Sequence, residues 1–242
     1  MKKFLKFMLA ASLVGSIACA KDVYVMGTSA EYPPFEFVDE NSTITGFDID
    51  LVNEISKRAD LKIEILNMSF DGLIPALKSG KIDLAGSGMS ATAERRNAVD
   101  FTNSYYEVEN LYIKHKDDDS LKTKDDLKGK RLTAQLGTIQ ENAIREIPSA
   151  DVNPAETVFA GVLLVKNKKV DALCVDSSVG VEYLKKNDDI VEFMRESDGS
   201  DGFAFAFDKG KYPELVEKFN KAIDEMKKDG SYDKLLEKYN LK

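Results

Sequence analysis

Few residues in this 242-residue chain are suited to covalent chemistry, and their surroundings argue against it. The single histidine, His115, lies between Lys114 and Lys116 and ahead of three aspartates, which reads as a solvated surface residue rather than a general base. Cys174 sits inside an apolar run and reads as a small buried hydrophobe. Ser-His and Cys-His mechanisms are thereby removed, and no Gly-x-x-x-x-Gly-Lys-Ser loop is present to cradle a nucleotide phosphate. What the sequence does supply is charge and hydrogen-bonding groups at the ends of elements. Gly137-Thr138-Ile139 falls between a strand and a helix beginning at Gln140, where backbone N-H groups and a hydroxyl suit an anion, or where Thr138 simply caps the helix. Asp176 closes an apolar strand; it reads as an acceptor for a cation or as the cap of a helix starting at Ser177. By residue type alone, Arg95 beside Glu94 and Arg96 reads as a surface arginine at a helix start.

The frame for these groups follows from hydrophobic periodicity. Strands are expected at 23–26, 62–66, 82–85, 131–135, 170–175 and 203–207. Helices are expected at 46–58, 73–77, 140–147, 158–166, 213–226 and 232–239, with apolar positions such as Leu51, Val52 and Ile55, or Leu215, Phe219 and Ile223, at helical spacing. Alternating strands and helices predict mostly parallel sheets with helices on their faces. The order pauses at 117–130, a Lys- and Asp-rich stretch read as a solvated surface excursion, and then restarts, so two α/β lobes are the natural solution.

At the N-terminus, Lys2, Lys3 and Lys6 flank an apolar run from Phe7 to Ala18 that ends at Ala18-Cys19-Ala20, the pattern of a secretory signal peptide over 1–20 with the mature chain starting at Lys21. A competing reading lipidates Cys19; Ser16, where such signals carry a larger aliphatic residue, favours cleavage after Ala20. Either route takes the chain out of the cytoplasm, to the periplasm, where Cys174 has no partner for an intramolecular disulfide and stability must come from the core. The net charge of -8 and the absence of a long basic cluster exclude nucleic acid and anionic membrane surfaces as partners. A soluble monomer without metal or cofactor is expected.

Ordered fragments then carry a family resemblance: Glu31-Tyr-Pro-Pro-Phe-Glu-Phe37, Gly46-Phe-Asp-Ile-Asp-Leu51, Phe70-Asp-Gly-Leu-Ile-Pro-Ala-Leu77, Lys81-Ile-Asp-Leu84, Gly88-Met-Ser90 with Glu94-Arg95, Val99-Asp-Phe-Thr102, Asp126-Leu-Lys-Gly-Lys130 and Gly137-Thr138. The chain resembles, over essentially all of its mature length, the polar amino-acid binding proteins of ATP-driven (ABC) uptake systems, solute-binding protein family 3, of arginine-, histidine- or glutamine-binding type. The resemblance implies an α/β, two-lobed periplasmic binding protein fold of type II, with two parallel-sheet lobes joined by a two-segment hinge. It places lobe 1 at 21–104 and 203–242, lobe 2 at 110–198, and the crossings at 105–109 and 199–202. Function would be capture of a free L-amino acid between the lobes and its delivery to an ABC permease.

Residue by residue, the resemblance assigns Arg95 to the ligand α-carboxylate, helped by Thr138 and the Gly137-Thr138-Ile139 backbone, and Asp176 to the α-ammonium. Ser90, with Gly88 and Met89 of the same loop, adds contacts on the first lobe. Tyr32 and Phe70 flank the ligand side chain as an aromatic pair. Ser29 stands where some relatives that bind cationic side chains place an acid; Glu31 is positioned to replace that charge, and Gln135 suits a guanidinium or a carboxamide. A basic amino acid is therefore expected, arginine first, with glutamine close behind and histidine also open. Two alternatives come from other classes: a periplasmic cyclohexadienyl or arogenate dehydratase-like enzyme, with Glu31 as the one candidate acid, and a ligand-sensing domain.

Overall fold

The computed structural model describes residues 23–242. The expected signal peptide, Cys19 and the mature start at Lys21 lie outside the described residues. In chain order the elements are β1 (Tyr24–Thr28), β2 (Glu31–Tyr32), β3 (Glu36–Val38), β4 (Ile44–Thr45), α1 (Phe47–Ala59), β5 (Ile63–Asn67), α2 (Leu73–Ser79), β6 (Leu84–Ala85), β7 (Val99–Phe101) and β8 (Glu109–His115). They continue with β9 (Arg131–Thr133), α3 (Ile139–Arg145), β10 (Asp151–Val152), α4 (Val158–Lys166), β11 (Ala172–Asp176), α5 (Ser177–Lys185), β12 (Ile190–Ser197), β13 (Ala206–Asp208), α6 (Pro213–Asp229) and α7 (Ser231–Lys238).

Two five-stranded sheets result, ordered β5-β1-β6-β13-β7 and β10-β9-β11-β8-β12, with a small antiparallel sheet β2-β3-β4 beside them. Each large sheet is parallel except for one strand: β13 runs antiparallel to β6 and β7, and β8 runs antiparallel to β11 and β12. Both exceptions are the first strand after the chain crosses between sheets. The loops after β1, β6, β9 and β11 carry the candidate binding residues, so those strands end at the cleft; a strand entering from the cleft end has to run the other way. Periodicity identifies apolar strands but carries no direction, so the exception is absent from the sequence reading.

Helices form where an apolar stripe meets compatible ends. In α1, Phe47, Leu51, Val52 and Ile55 are buried, while Asp48 and Asp50 in the first turn and Lys57 and Arg58 in the last complement the helix dipole. In α6, Pro213 opens the helix, Leu215, Phe219, Ala222, Ile223 and Met226 form its buried face, and Gly230 ends it in a left-handed conformation. Both helices pack on the first sheet, where Phe219 meets the rings of Phe205 and Phe207 edge-on at 5.2 and 5.3 Å.

The two connections run from β7 to β8 and from β12 to β13. They are held at Phe203, whose N-H donates to Tyr106 O at 2.7 Å and whose carbonyl accepts from Tyr105 N at 2.8 Å. An aromatic knot of Phe35, Phe47, Tyr105, Tyr106 and Phe203 fills this junction; Phe35 and Phe203 stack edge-to-face at 5.0 Å. Such rings each contribute about 1.5 to 3 kcal/mol through burial, with a further gain from their mutual geometry. Gly202 is required here: its φ is +97° and a Cβ would lie 2.5 Å from Tyr106 O.

Three expectations change. The 117–130 stretch is not wholly a solvated excursion, because Leu121 and Leu127 are fully buried and a capping box at Thr123 and Asp126 shapes the turn between them. His115, with a side chain only 13% exposed, ends β8 at its far end from the cleft and accepts the Asp117 N-H at Nδ1. The strand expected at 203–207 is regular only from Ala206; Phe203 is instead in isolated bridges to Ser90 and Tyr106.

Candidate functional site

The strand-end loops converge on a narrow space lined by Tyr32, Phe70, Gly88, Ser90 and Arg95 from one lobe and Gln135, Thr138, Ile139, Gln140 and Asp176 from the other. Asp176 occupies the last position of β11, and its side chain makes no capping bond to α5 although it holds the cap position. Its carboxylate turns into the cleft instead. Oδ1 accepts from Gln140 Nε2 at 2.9 Å, and Oδ2 accepts from the Tyr32 hydroxyl of the opposite lobe. Burial, and secondarily the charge of Asp198, pushes the Asp176 carboxyl well above the usual carboxylate range.

Arg95 stands on a 3-10 turn whose start is fixed by Thr92 Oγ1 accepting from Arg95 N at 3.1 Å. Its guanidinium donates to Ser90 O at 2.9 Å within its own lobe and to Gly137 O at 3.0 Å across the cleft, and lies 5.4 Å from the centre of the Phe70 ring. Burial lowers Arg95 to about 10, which leaves it charged at neutral pH. The lobes are closed: a Cβ on Gly137 would meet Asp71 Cα at 2.9 Å.

Other assigned residues take different places. Thr138 caps α3, accepting from Glu141 N at 3.2 Å and donating to Gln135 O at 2.7 Å. The Gly137 and Thr138 N-H groups are not free as expected: the first donates to Glu141 Oε2 at 2.7 Å and the second to Gln135 O at 3.3 Å, because the left-handed turn at Gly137 folds the loop back on the helix start. Met89 does not line the space. Its side chain is in the core with Leu73, Phe101 and Ala204, and only its carbonyl is used, by Ala204 N at 3.0 Å. Ser29 and Glu31 line a neighbouring chamber instead. Gln135 forms part of the wall between the two, with Nε2 donating to Glu156 O at 3.3 Å.

Sequence reasoning missed Gln140 and Asn110. Gln140 Nε2 joins Asn110 Oδ1 to Asp176 Oδ1, both at 2.9 Å, and so orients the carboxylate. Nothing in the residue types marked them; the signal is positional, one being in the first turn of α3 and the other the register partner of Asp176 on β8. Also missed was a buried polar layer beneath the first-lobe loop. Asp48 Oδ2 accepts from Gly88 N at 2.9 Å and Tyr105 OH at 2.6 Å, and Glu36 Oε1 accepts from Ser87 Oγ at 2.8 Å.

The cleft thus holds a partly buried guanidinium and a buried carboxyl on opposite lobes, and among the described residues neither has an ion-pair partner within 4 Å. Among the described residues there is also no cluster of ligating side chains fit for a metal ion.

Residues 24–242 match the model of the bacterial extracellular solute-binding proteins, family 3. A probable histidine-binding protein of Campylobacter jejuni is 50% identical over 216 residues, covering 89% of this chain and 84% of its own. Among solved structures, an ancestral arginine-binding protein bound to arginine superposes with a TM-score of 0.86 at 39% identity, covering 90% of this chain and 98% of its own. The substrate-binding protein of an amino-acid ABC transporter gives 0.85 at 38% identity, covering 91% and 100%.

Proposed function

The chain belongs to the bacterial extracellular solute-binding proteins of family 3, and on that premise we propose that it captures a free basic amino acid between its lobes, arginine first, and presents it to an ABC permease from the periplasm. The observation that carries this is the pair facing each other across the cleft, the partly buried Arg95 guanidinium and the buried Asp176 carboxyl, neither with an ion-pair partner among the described residues; a ligand ammonium beside Asp176 would favour its ionised form. An amino acid is a zwitterion whose two charges are costly to bury unless each meets its opposite. Arg95 grips the α-carboxylate and Asp176 accepts the α-ammonium, with Thr138 and Ser90 adding hydrogen bonds and the Tyr32 and Phe70 rings covering the stem. The direct cross-lobe contacts, Tyr32 to Asp176 and Arg95 to Gly137 O, are those a ligand replaces as it bridges the lobes. Contacts made only in the closed form shift the population toward closure, and the protein acts as a monomer that binds without chemistry.

A thermal-shift panel of the twenty amino acids, on protein unfolded and refolded to strip bound ligand, tests the class because a ligand of the folded state raises stability by mass action. The expected order is arginine, then lysine, histidine or glutamine, with glutamate and aspartate last. Strong stabilisation by glutamate or a small apolar amino acid, with none by arginine or glutamine, overturns the basic class. The same protein incubated with prephenate or arogenate is expected to yield no product.

Asp176→Asn is expected to weaken every amino-acid ligand by a similar factor, because the α-ammonium is common to all and only the side-chain pocket distinguishes them. Calorimetry with arginine, histidine and glutamine reads this directly. A loss confined to one ligand would move Asp176 to the side-chain pocket.

A further inference from the structure

Behind the two crossings lies a groove between the lobes. Residues of both connections line it, Tyr106 and Gly202 among them, whereas none from either connection lines the ligand space. One wall is α5, at Ser178, and the other is the segment beyond α7, at Leu241. Since α5 packs on β8, β11 and β12 while α7 packs on α1 and α6, the walls belong to opposite lobes. Tyr106 spans them. Its ring packs on Phe35 and Phe203 at the junction, with ring centres 5.2 and 6.2 Å away. Its hydroxyl donates to Leu241 O at 3.3 Å and stands 3.1 Å from Ser178 Oγ, so the serine is left to donate to the tyrosine. Among the described residues no ion pair joins α5 to the segment beyond α7, whose Lys242 pairs with Asp233 and Glu237 of its own lobe.

We propose that Tyr106 is a positioning residue for closure: it touches no ligand, and its bond to Ser178 braces the lobes in the form that binds. The proposal rests on capture of an amino acid between the lobes and adds a contact that the ligand does not supply. The other cross-lobe contacts, Tyr32 to Asp176 and Arg95 to Gly137 O, lie in the ligand space and are given up to the ligand. The bond from Ser178 to Tyr106 lies outside that space and persists when the ligand is bound. Because the tyrosine ring is held at the junction while Ser178 rides on a helix of the second lobe, rotation of one lobe on the other parts the two hydroxyls, so the bond belongs to the closed form. A contact made only there raises the binding-competent fraction of the protein, and with it the affinity for every ligand by the same factor. Tyr106 and Ser178 are both partly exposed, so water replaces the bond in the open form and no buried group is orphaned.

The test is calorimetry with arginine, histidine and glutamine on the full mature protein and on Tyr106→Phe, Ser178→Ala and the double variant. Each single variant is expected to weaken every ligand that the wild type binds by the same factor, about twofold to tenfold, and the double variant to be no weaker than the weaker single, since both changes remove one bond. Stopped-flow kinetics should show the loss as faster dissociation. Ser178→Ala leaves the bond from Tyr106 to Leu241 O in place, so the melting temperature of the ligand-free protein is expected to stay at the wild-type value, whereas a merely structural role would lower it. Unchanged affinity in both single variants, losses that add in the double variant, or a loss confined to one ligand overturns the brace while leaving the α-anchors standing. Failure of the wild type to bind any amino acid overturns the zwitterion reading and the brace with it.

Discussion

Arg95→Ala is expected to abolish measurable amino-acid binding while leaving the fold intact. The substitution strands a ligand carboxylate in a closed cleft with no cation, at a cost of about 3 to 5 kcal/mol, which is a loss of roughly two to nearly four orders of magnitude in affinity. Lysine would not substitute, because the guanidinium already spans two acceptors, Ser90 O and Gly137 O, in a plane that an ammonium cannot reproduce. The fold should survive because Arg95 sits on a short turn at the cleft rim, is only partly buried, and among the described residues forms no ion pair. Calorimetry alongside far-UV circular dichroism decides the matter. Micromolar binding in a correctly folded variant would remove Arg95 from the site.

Much of the frame was legible because burial is periodic. The helix expected at 158–166 has those bounds in the structure, and those at 46–58 and 213–226 shift by a few residues at their ends, since their apolar faces are long enough to outvote local noise. The strand β8 escaped notice because its apolar run, Leu111 to Ile113, is only three residues long, β12 because charged residues interleave its apolar ones, and β2, β3, β4 and β10 because two or three residues leave no period to read. For the site, residue type carried little: Arg95 and Asp176 became candidates only through the motifs around them. The anchors also looked different from expectation at the Gly137-Thr138 turn, whose N-H groups are taken by Glu141 and Gln135. The signal for this lay in the Thr138-x-x-Glu141 spacing, a capping-box pattern in which the glutamate reaches back to the backbone at the helix start.

The second large effect concerns Asp48 and Glu36, whose residue types alone did not single them out. Both are fully buried. Asp48 Oδ2 ties the Gly88 N-H of the binding loop to the Tyr105 hydroxyl at the crossing, and Glu36 Oε1 holds Ser87, which in turn receives the Ser29 N-H. The remaining oxygens, Glu36 Oε2 and Asp48 Oδ1, have no donor among the described residues, so a proton shared by the two carboxyls is expected to serve them. Burial first, and their mutual repulsion second, push Glu36 well above its usual range, while burial pushes Asp48 up to about 6. Asp48→Ala leaves two buried donors without an acceptor and Glu36 without its partner, so a loss of about 3 to 5 kcal/mol in unfolding free energy is expected. The pH dependence has a definite sign. Unfolded, both groups ionise near pH 4; folded, the pair keeps its proton to higher pH, so the folded state binds more protons and stability falls as pH rises above about 4. Surface carboxylates held low by hydrogen bonds and ion pairs, such as Asp229 at about 2, act in the opposite direction but below that window. Glu36→Gln keeps an N-H for Asp48 and an oxygen for Ser87 yet cannot ionise. Urea unfolding at pH 5 and pH 8 should therefore show a smaller decline for Glu36→Gln than for wild type, with the variant gaining most at pH 8. An identical decline in both proteins would mean that the pair is already fully ionised in the folded state and that the shared proton does not exist.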